Sequence, residues 1–178
     1  SAALARCPAP APGVLLCGLG AGFSLAEAVS LPGVARVDVV EISPEIIGWH
    51  ATHLRHLAAP AWQDSRVTVI NADAVAWLAR ERGPYDVICL DIDNGPGWTV
   101  WDANRLLYGD DGLRRVIASL SPDGVAAVWS AAPVPAFAKR FRRHFTAVQV
   151  LRVPAARGQP DVIYLGQRAR PGAIACDT

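Results

Sequence analysis

Three glycines at alternating positions follow the first apolar run of the chain and have the spacing of a ligand-binding loop. Gly18, Gly20 and Gly22 lie between the strand-like residues VLLC and a helix-like segment that starts near residue 24. Because glycine has no Cβ, such a loop lets a ligand approach the backbone, and the following helix adds free N–H groups at its N-terminus. A tight turn would need the same glycines, so the loop alone leaves both interpretations open.

Acidic residues at the ends of three later strands favour the ligand-binding interpretation. Glu41 ends the second apolar run, where a carboxylate can accept both hydroxyls of a ribose. Asp73 follows the third run, within reach of an adenine amino group, and Asp91 ends the fourth, beside the glycine loop. Ligands of open α/β sheets bind beyond the carboxyl ends of the strands. Each acid alone is more typical of a helix cap or of the surface than of a binding site, but the three together with the glycine loop predict a nucleoside site.

Apolar runs and helix-like segments alternate along the chain and predict the scaffold that holds these residues. The strand-like runs are 14–17, 37–42, 67–70, 86–92 and 125–129. The helix-like segments are about 24–30, 44–57, 74–82, 103–120 and 134–144. Strands that alternate with helices form a mostly parallel sheet covered on both faces, which is the α/β class. The last two runs, 146–153 and 161–167, leave no room for a helix between them and predict an antiparallel hairpin.

The composition of the 178 residues excludes several classes of protein. The chain is 52% hydrophobic and 19% charged, which is typical of a globular domain. Its net charge of +1 and its lack of a long apolar segment do not indicate a nucleic-acid or membrane partner. The four cysteines have no metal-ligand spacing, so we expect no metal and a reducing, cytoplasmic setting. We expect one domain over 1–178, with a proline-rich lead-in over 1–12.

Four segments of the sequence carry a resemblance to a known family. They are VLLCGLGAG, VDVVEISPEII, DSRVTVINADA and YDVICLDIDNGPG, within about residues 13–130. Together they resemble the catalytic domain of the spermidine synthases, in the class I S-adenosylmethionine-dependent methyltransferase fold. The resemblance implies a Rossmann-like, seven-stranded sheet of order 3-2-1-4-5-7-6 with the seventh strand antiparallel. It also implies a transferase that binds S-adenosylmethionine or decarboxylated S-adenosylmethionine and a small acceptor such as an amine. The family is commonly dimeric, so a homodimer is one expected assembly.

The resemblance also implies which residues contact the nucleoside, by their positions in the matching segments. These residues are Gly18, Gly20, Gly22, Glu41, Ile42, Asp73, Ala74 and Asp91. The glycines would line the methionine part of the nucleoside. Glu41 would hold the ribose, and Asp73 with Ala74 would contact the edge of the adenine.

The resemblance implies a catalytic role for Asp91, and the sequence departs from the family around it. Asp91 falls on the aspartate that positions and deprotonates the attacking amine, and Asp93 is the second candidate for that role. The family's glycine loop carries an aspartate that binds the amino group of the cofactor, and Ala21 stands in its place. A second family aspartate corresponds to Asn94. Only 13 residues precede the glycine-loop strand, so we expect the N-terminal β-domain of spermidine synthases to be absent.

The segment DNGPGWTVWDANRLLY, residues 93–108, predicts a Gly/Pro loop over the site. Its candidate substrate-contacting residues are Asn94, Trp98 and Trp101, because aromatic faces suit a flat or cationic substrate. The alternative is that one tryptophan packs inward and the other covers an edge.

Two helices carry patterns that we interpret as structural. His50, His53 and His56 recur every third residue, a spread too wide for one metal, so we interpret them as a solvated helix face. In FAKRFRRHF, residues 137–145, the phenylalanines lie four apart and predict a core stripe with the basic residues facing water.

The sequence thus supports two functions from different classes. The first is a transferase that moves an aminopropyl or methyl group to a small acceptor, with Asp91 as the proton acceptor. The second is a non-catalytic nucleoside-binding or interaction protein that retains the fold, which Ala21 and the expected lack of the β-domain suggest. A dinucleotide-dependent dehydrogenase is a weaker third, because Phe23 occupies the place of its third glycine.

Overall fold

The computed structural model describes residues 2–80, 83–154 and 158–171. Within these ranges one sheet has seven strands, in the order β3-β2-β1-β4-β5-β7-β6. The strands are β1 (Gly13–Cys17), β2 (Arg36–Glu41), β3 (Val67–Asn71), β4 (Tyr85–Leu90), β5 (Leu120–Ser130), β6 (Phe145–Val153) and β7 (Asp161–Ala169). Strands β1 to β5 pair in parallel, and β7 runs antiparallel to both of its neighbours. The predicted strand order and the antiparallel seventh strand are confirmed.

Six α-helices cover the sheet in the described part of the chain. They are α1 (Phe23–Ser30), α2 (Pro44–Ala51), α3 (Arg55–Trp62), α4 (Ala74–Leu78), α5 (Asp110–Ala118) and α6 (Pro135–His144). The single helix predicted over 44–57 is wrong, because the chain turns at Thr52 (φ −125°, ψ −87°). The Leu54 N–H closes this turn by donating to the Trp49 carbonyl at 2.7 Å, and α3 starts directly after it.

The helix predicted over 103–120 is also divided. Asp102–Tyr108 form a 3-10 helix, and α5 starts only after Gly109, whose backbone is extended (ψ 175°). Gly112 lets the first turn of α5 lie directly on that 3-10 helix, since a Cβ there would overlap the Leu106 carbonyl oxygen.

Two predicted segments also have different ends: α4 stops at Leu78 rather than 82, and β5 is longer than 125–129. Residues 81 and 82 lie outside the described residues.

The core lies on both faces of the central strands. Every residue of β1 is buried, as expected for a strand with helices on both sides. Phe137, Phe141 and Phe145 have exposed fractions of 1%, 0% and 1%, which confirms the predicted core stripe. Burial of a phenylalanine side chain contributes about 1.5–3 kcal/mol, so Phe137 and Phe141 help to hold α6 on the sheet, and Phe145 is the first residue of β6.

The first residues of the chain are attached to the sheet at β7. Leu4–Arg6 form a short 3-10 turn. The Gln167 Nε2 donates to the Arg6 carbonyl at 3.1 Å, and the Arg6 Nη1 donates to the Gln167 Oε1 at 3.4 Å. The proline-rich lead-in is therefore tethered at this point.

The strand order reverses between β1 and β4, and this position determines where a ligand can bind. From β1 the chain crosses to β2 and β3 on one side, and it then returns to β4 on the other. Loops that leave the two strands therefore diverge, and a crevice opens at their carboxyl ends. Glu41 is the last residue of β2, and the glycine loop and Asp91 directly follow β1 and β4 at this edge.

Candidate functional site

The glycine loop has left-handed backbone at all three glycines, for different reasons. The φ angles are 97° at Gly18, 48° at Gly20 and 85° at Gly22. A Cβ at Gly18 would overlap the carbonyl oxygen of Asp91, so close packing against the end of β4 requires this glycine. At Gly20 the corresponding position is open, with no atom within 4 Å, while Gly22 leads into α1. The loop therefore makes a tight turn, and its backbone at Gly20 is also left uncovered by side chains. This uncovered backbone forms one wall of a crevice.

Glu41 is buried against this wall, with an exposed fraction of 6%. Its Oε2 accepts a hydrogen bond from the Leu19 N–H at 2.9 Å, and its Oε1 accepts one from the Ser43 N–H at 2.9 Å. These two bonds fix the carboxylate at the glycine loop. Each carboxylate oxygen has a second lone pair, so the group can still accept two more hydrogen bonds from a ligand.

Asp73 serves as a helix cap and also lines the crevice. As N-cap of α4 it accepts a hydrogen bond from the Val75 N–H through Oδ1 at 2.8 Å. Ala74, which is 6% exposed, and Ile42, which is 45% exposed, lie on the same wall. The two interpretations of Asp73 from the sequence are compatible, because this cap bond uses only one carboxylate oxygen.

Asp91 lies on the other side of the glycine loop and is held by a residue that the sequence analysis missed. The Asp91 N–H donates to the Cys17 carbonyl at 2.9 Å, which extends the pairing of β1 with β4 by one residue. The Ser24 hydroxyl donates to the Asp91 Oδ2 at 2.6 Å. A serine in the first turn of α1, two residues after Gly22, was the signal for this contact.

Asp93 is in left-handed conformation (φ 55°) and is also held from outside its own loop. The Asn104 Nδ2 donates to the Asp93 Oδ2 at 2.9 Å, and Asn104 is 8% exposed. The Tyr108 hydroxyl donates to the Ile92 carbonyl at 3.0 Å. Burial, with the charge of Asp93 nearby, raises the pKa of Tyr108, so its hydroxyl stays a donor. The 3-10 helix therefore supports this side of the site.

The aromatic loop reaches the crevice at one tryptophan. Trp101 is 59% exposed and lines the crevice, but Trp98, at 69% exposed, does not. The backbone of Asn94 lies against the sheet, where its main-chain carbonyl accepts a hydrogen bond from the Ala131 N–H at 3.1 Å. The reason is Gly95, whose absent Cβ would lie 2.6 Å from the Ser130 Cα, so this part of the loop packs tightly on the end of β5.

These elements enclose one crevice of about 510 Å³, a volume typical of small-molecule sites. The predicted residues that line it are Gly18, Gly20, Glu41, Ile42, Asp73, Ala74, Asp91, Asp93 and Trp101. Gly22, Asn94 and Trp98 are not in the lining. Four carboxylates face the crevice, and no lysine or arginine of the described residues lines it. Such a lining favours a cationic ligand.

One of the three histidines predicted to lie on a solvated helix face is buried. His53 and His56 are exposed, as predicted, but His50 is only 1% exposed. The turn at Thr52 brings α3 back across α2, and the ring of Trp62 covers His50 at a centroid distance of 5.1 Å. His50 was therefore wrongly assigned to a solvated face.

The described residues lack the features of two other kinds of site. No helix there is both long enough and apolar enough to pass through a lipid bilayer. No cluster of three or more His, Cys, Asp or Glu side chains with the arrangement of a metal site occurs in the same part of the chain.

Comparison with known proteins connects this site to a family. The family model described as "Spermine/spermidine synthase domain" matches residues 4–136, which include the glycine loop, Glu41, Asp73 and Asp91. The chain belongs to the spermine/spermidine synthase family. This confirms the resemblance found from the sequence, and the match continues beyond residues 13–130 at both ends.

Curated relatives of this family member are aminopropyltransferases by name. Polyamine aminopropyltransferase 2 of Streptomyces coelicolor is 39% identical over 157 residues, which cover 85% of this chain and 26% of that protein. The chain spans less than half the length of the curated relatives it matches.

Solved structures confirm the fold. Human methyltransferase-like protein 13 in complex with SAH has a TM-score of 0.75 at 24% identity, covering 96% of this chain and 80% of that one. Spermidine synthase from Thermotoga maritima has a TM-score of 0.74 at 18% identity, covering 92% of this chain and 55% of that one. The spermine/spermidine synthase family member therefore has the class I methyltransferase fold that the sequence predicts.

Proposed function

We propose that this chain is the nucleoside-binding and catalytic part of a transferase that moves an aminopropyl group from decarboxylated S-adenosylmethionine to a small amine. One observation carries the proposal: the buried Glu41 carboxylate and the Asp91 carboxylate flank the same glycine loop in one crevice. The strand order places β1 between β2 and β4, so the two carboxylates stand at the ends of strands roughly 10 Å apart. That span suits a ribose at one side and a reacting carbon at the other.

The lining residues have the chemistry that the nucleoside requires. Glu41 accepts the two ribose hydroxyls through its remaining lone pairs. The second oxygen of Asp73 accepts the adenine amino group, with Ala74 and Ile42 against the rest of the base. Gly18 and Gly20, with Gly22 behind them, face the part of the nucleoside derived from methionine.

The transfer itself is a displacement at the carbon bound to the sulfonium. The acceptor nitrogen forms the new C–N bond, the C–S bond breaks, and its electron pair leaves with 5′-methylthioadenosine. Before the attack, the bound ammonium gives one proton to Asp91, which the Ser24 hydroxyl orients through its hydrogen bond at 2.6 Å. The neutral amine nitrogen is then the nucleophile, and the product nitrogen carries the positive charge that leaves the sulfonium. Alignment of nucleophile and leaving group in the crevice supplies most of the rate increase. Asp93, held by Asn104, is the second candidate for the proton acceptor.

The charge of the crevice supports an amine as the acceptor. Both reactants are cations before transfer, a sulfonium and an ammonium, and the four carboxylates of the lining attract both. Trp101 is placed at the same opening and offers an aromatic face to the acceptor cation.

A second candidate function is methyl transfer from S-adenosylmethionine itself, and Ala21 favours it. Ala21 lines the crevice where a side-chain carboxylate would bind the amino group of the tail. A carboxylate there would repel the carboxylate of the S-adenosylmethionine tail, and an alanine does not, so the preference for the decarboxylated nucleoside is weakened. The curated relatives carry the names of enzymes, so the comparisons give no support to a non-catalytic alternative.

Calorimetry and mass spectrometry together test the proposal. We expect the chain to bind decarboxylated S-adenosylmethionine more tightly than S-adenosylmethionine, and to form 5′-methylthioadenosine only when an amine is also present. Formation of S-adenosylhomocysteine with the same acceptors would support methyl transfer instead. A chain that binds neither nucleoside would contradict both candidate functions.

A further inference from the structure

His50 makes the single side-chain hydrogen bond to Gly20 that occurs within the described residues. The His50 Nε2 lies 2.9 Å from the Gly20 carbonyl oxygen. Because a carbonyl oxygen only accepts, Nε2 carries the hydrogen and donates it. The histidine is 1% exposed and is not part of the crevice lining, so it reaches the glycine loop from behind.

This bond determines the direction of the next backbone N–H. The peptide between Gly20 and Ala21 is trans, so its C=O and N–H point to opposite sides. With the carbonyl held by His50 behind the loop, the Ala21 N–H is directed to the opposite side, where Ala21 lines the crevice. No acceptor for the Ala21 N–H is found in the part of the chain that the structure describes. A donor without a protein partner at the wall of a crevice is available to a ligand.

Gly20 needs such support because little else restrains it. Its φ is 48°, and glycine adopts positive and negative φ about equally, so its own backbone preference does not fix this conformation. No atom lies within 4 Å of the position that a Cβ would take, so packing does not fix it either. The imidazole itself is held in place by Trp62, which stacks on it at 5.1 Å with an angle of 13° between the rings. The restraint therefore passes from α3 through His50 to the glycine loop.

We propose that His50 is a positioning residue: by holding the Gly20 carbonyl, it directs the Ala21 N–H to an oxygen acceptor of the bound nucleoside. This inference rests on the proposed function. The oxygen belongs either to the ribose or to the carboxylate of an amino-acid tail. Both have the same chemistry toward an N–H, and nucleosides with different tails distinguish them.

Three variants separate the hydrogen bond from the packing. H50F keeps a flat ring against Trp62 but removes the donor. H50Q keeps a donor at a similar distance from the backbone. H53F changes the exposed histidine on the same turn and is the matched control. Each variant is titrated by calorimetry with S-adenosylmethionine, its decarboxylated form and 5′-methylthioadenosine, and its Tm is measured without ligand.

We expect H50F to raise the nucleoside Kd about 3- to 10-fold, which is the effect of one hydrogen bond. H50Q is expected to retain most of the affinity of the unmodified chain, and H53F is expected to leave the Kd unchanged. A loss for all three nucleosides places the acceptor on the ribose, and a loss for S-adenosylmethionine alone places it on the carboxylate. Faster hydrogen exchange of the backbone amides of the glycine loop in unliganded H50F is expected as well.

Unchanged Kd values and unchanged hydrogen exchange in H50F, at an unchanged Tm, would overturn this inference alone. No binding of any nucleoside by the unmodified chain would overturn the proposed function and this inference with it.

Discussion

The two halves of the crevice are built differently, and the difference shows what each can do. On the side of the glycine loop, Glu41 and His50 are 6% and 1% exposed, and both bond to the loop backbone. On the side of the aromatic loop, Val100 and Trp101 are 75% and 59% exposed. The first half is a preformed binding wall, whereas the second offers apolar surface to solvent. We therefore expect nucleoside affinity to reside in the first half, and affinity for the acceptor to depend on the second.

The largest effect is expected at the boundary between the halves, from D91N. The amide cannot take the proton of the amine, so we expect kcat to fall about 10²- to 10⁴-fold, while the nucleoside Kd changes little. Stopped assays of 5′-methylthioadenosine formation with calorimetry measure the two quantities. D93N is the comparison, with a smaller loss of kcat. Equal losses in both variants, or a wild-type rate in D91N, would contradict the assignment of Asp91.

The next largest effect is expected in the preformed half, from E41Q. The amide keeps the size of the side chain but replaces one of the two carboxylate oxygens by an NH2 group, so either the Leu19 N–H or the Ser43 N–H loses its acceptor. Hydrogen bonds to a charged group contribute about 1.5–3 kcal/mol, so we expect the nucleoside Kd to rise roughly 10- to 100-fold. The control is E45Q, which changes an exposed carboxylate on the adjoining helix. If E41Q, still folded by its Tm, binds as tightly as the unmodified chain, the ribose contact is wrong.

A pair of glycine substitutions separates backbone strain from ligand contact. Gly20 and Gly158 both have positive φ and open space at the Cβ position. G20A and G158A are each expected to lower the free energy of unfolding by about 1 kcal/mol, because alanine disfavours this backbone conformation. Denaturant titration measures that loss. Only G20A is expected to weaken nucleoside binding as well. Equal nucleoside affinities in the two variants would show that the nucleoside does not contact the backbone at Gly20.

The smallest effect is expected in the open half, from W101A compared with W98A. Trp101 lines the crevice and Trp98 does not, although both are mostly exposed. A contact between an ammonium and an exposed indole contributes about 0.5–1 kcal/mol, so we expect W101A to raise the KM for the amine a few-fold. The nucleoside Kd should stay unchanged in both variants. An equal effect of W98A would mean that the whole loop closes over the acceptor.

The sequence predicted the scaffold well because its signals are local. Continuous apolar runs mark strands such as β1 and β4, and the short connection before β7 excludes a helix. The strand order was implied by the family resemblance, and the structure confirms it. The helix ends were less accurate, since the turn at Thr52 depends on how α3 packs rather than on a Gly or Pro at that point.

The candidate site was predicted in part. Glu41 and Asp91 lie where strand ends place them, and that placement follows from the topology. Trp98 and Trp101 lie on one loop, and nothing in their spacing distinguishes the one that reaches the crevice. That choice depends on Gly95 packing against β5, a contact between residues far apart in the sequence.

By itself the sequence determined the α/β class, the edge of the sheet at which the crevice opens and the carboxylates at that edge, because strand periodicity and glycine spacing are properties of neighbouring residues. Only the tertiary structure decided that His50 is buried behind the glycine loop and that Ser24 orients Asp91. Those contacts join separate elements, and no local pattern of residue types encodes which side chains will meet when the elements pack.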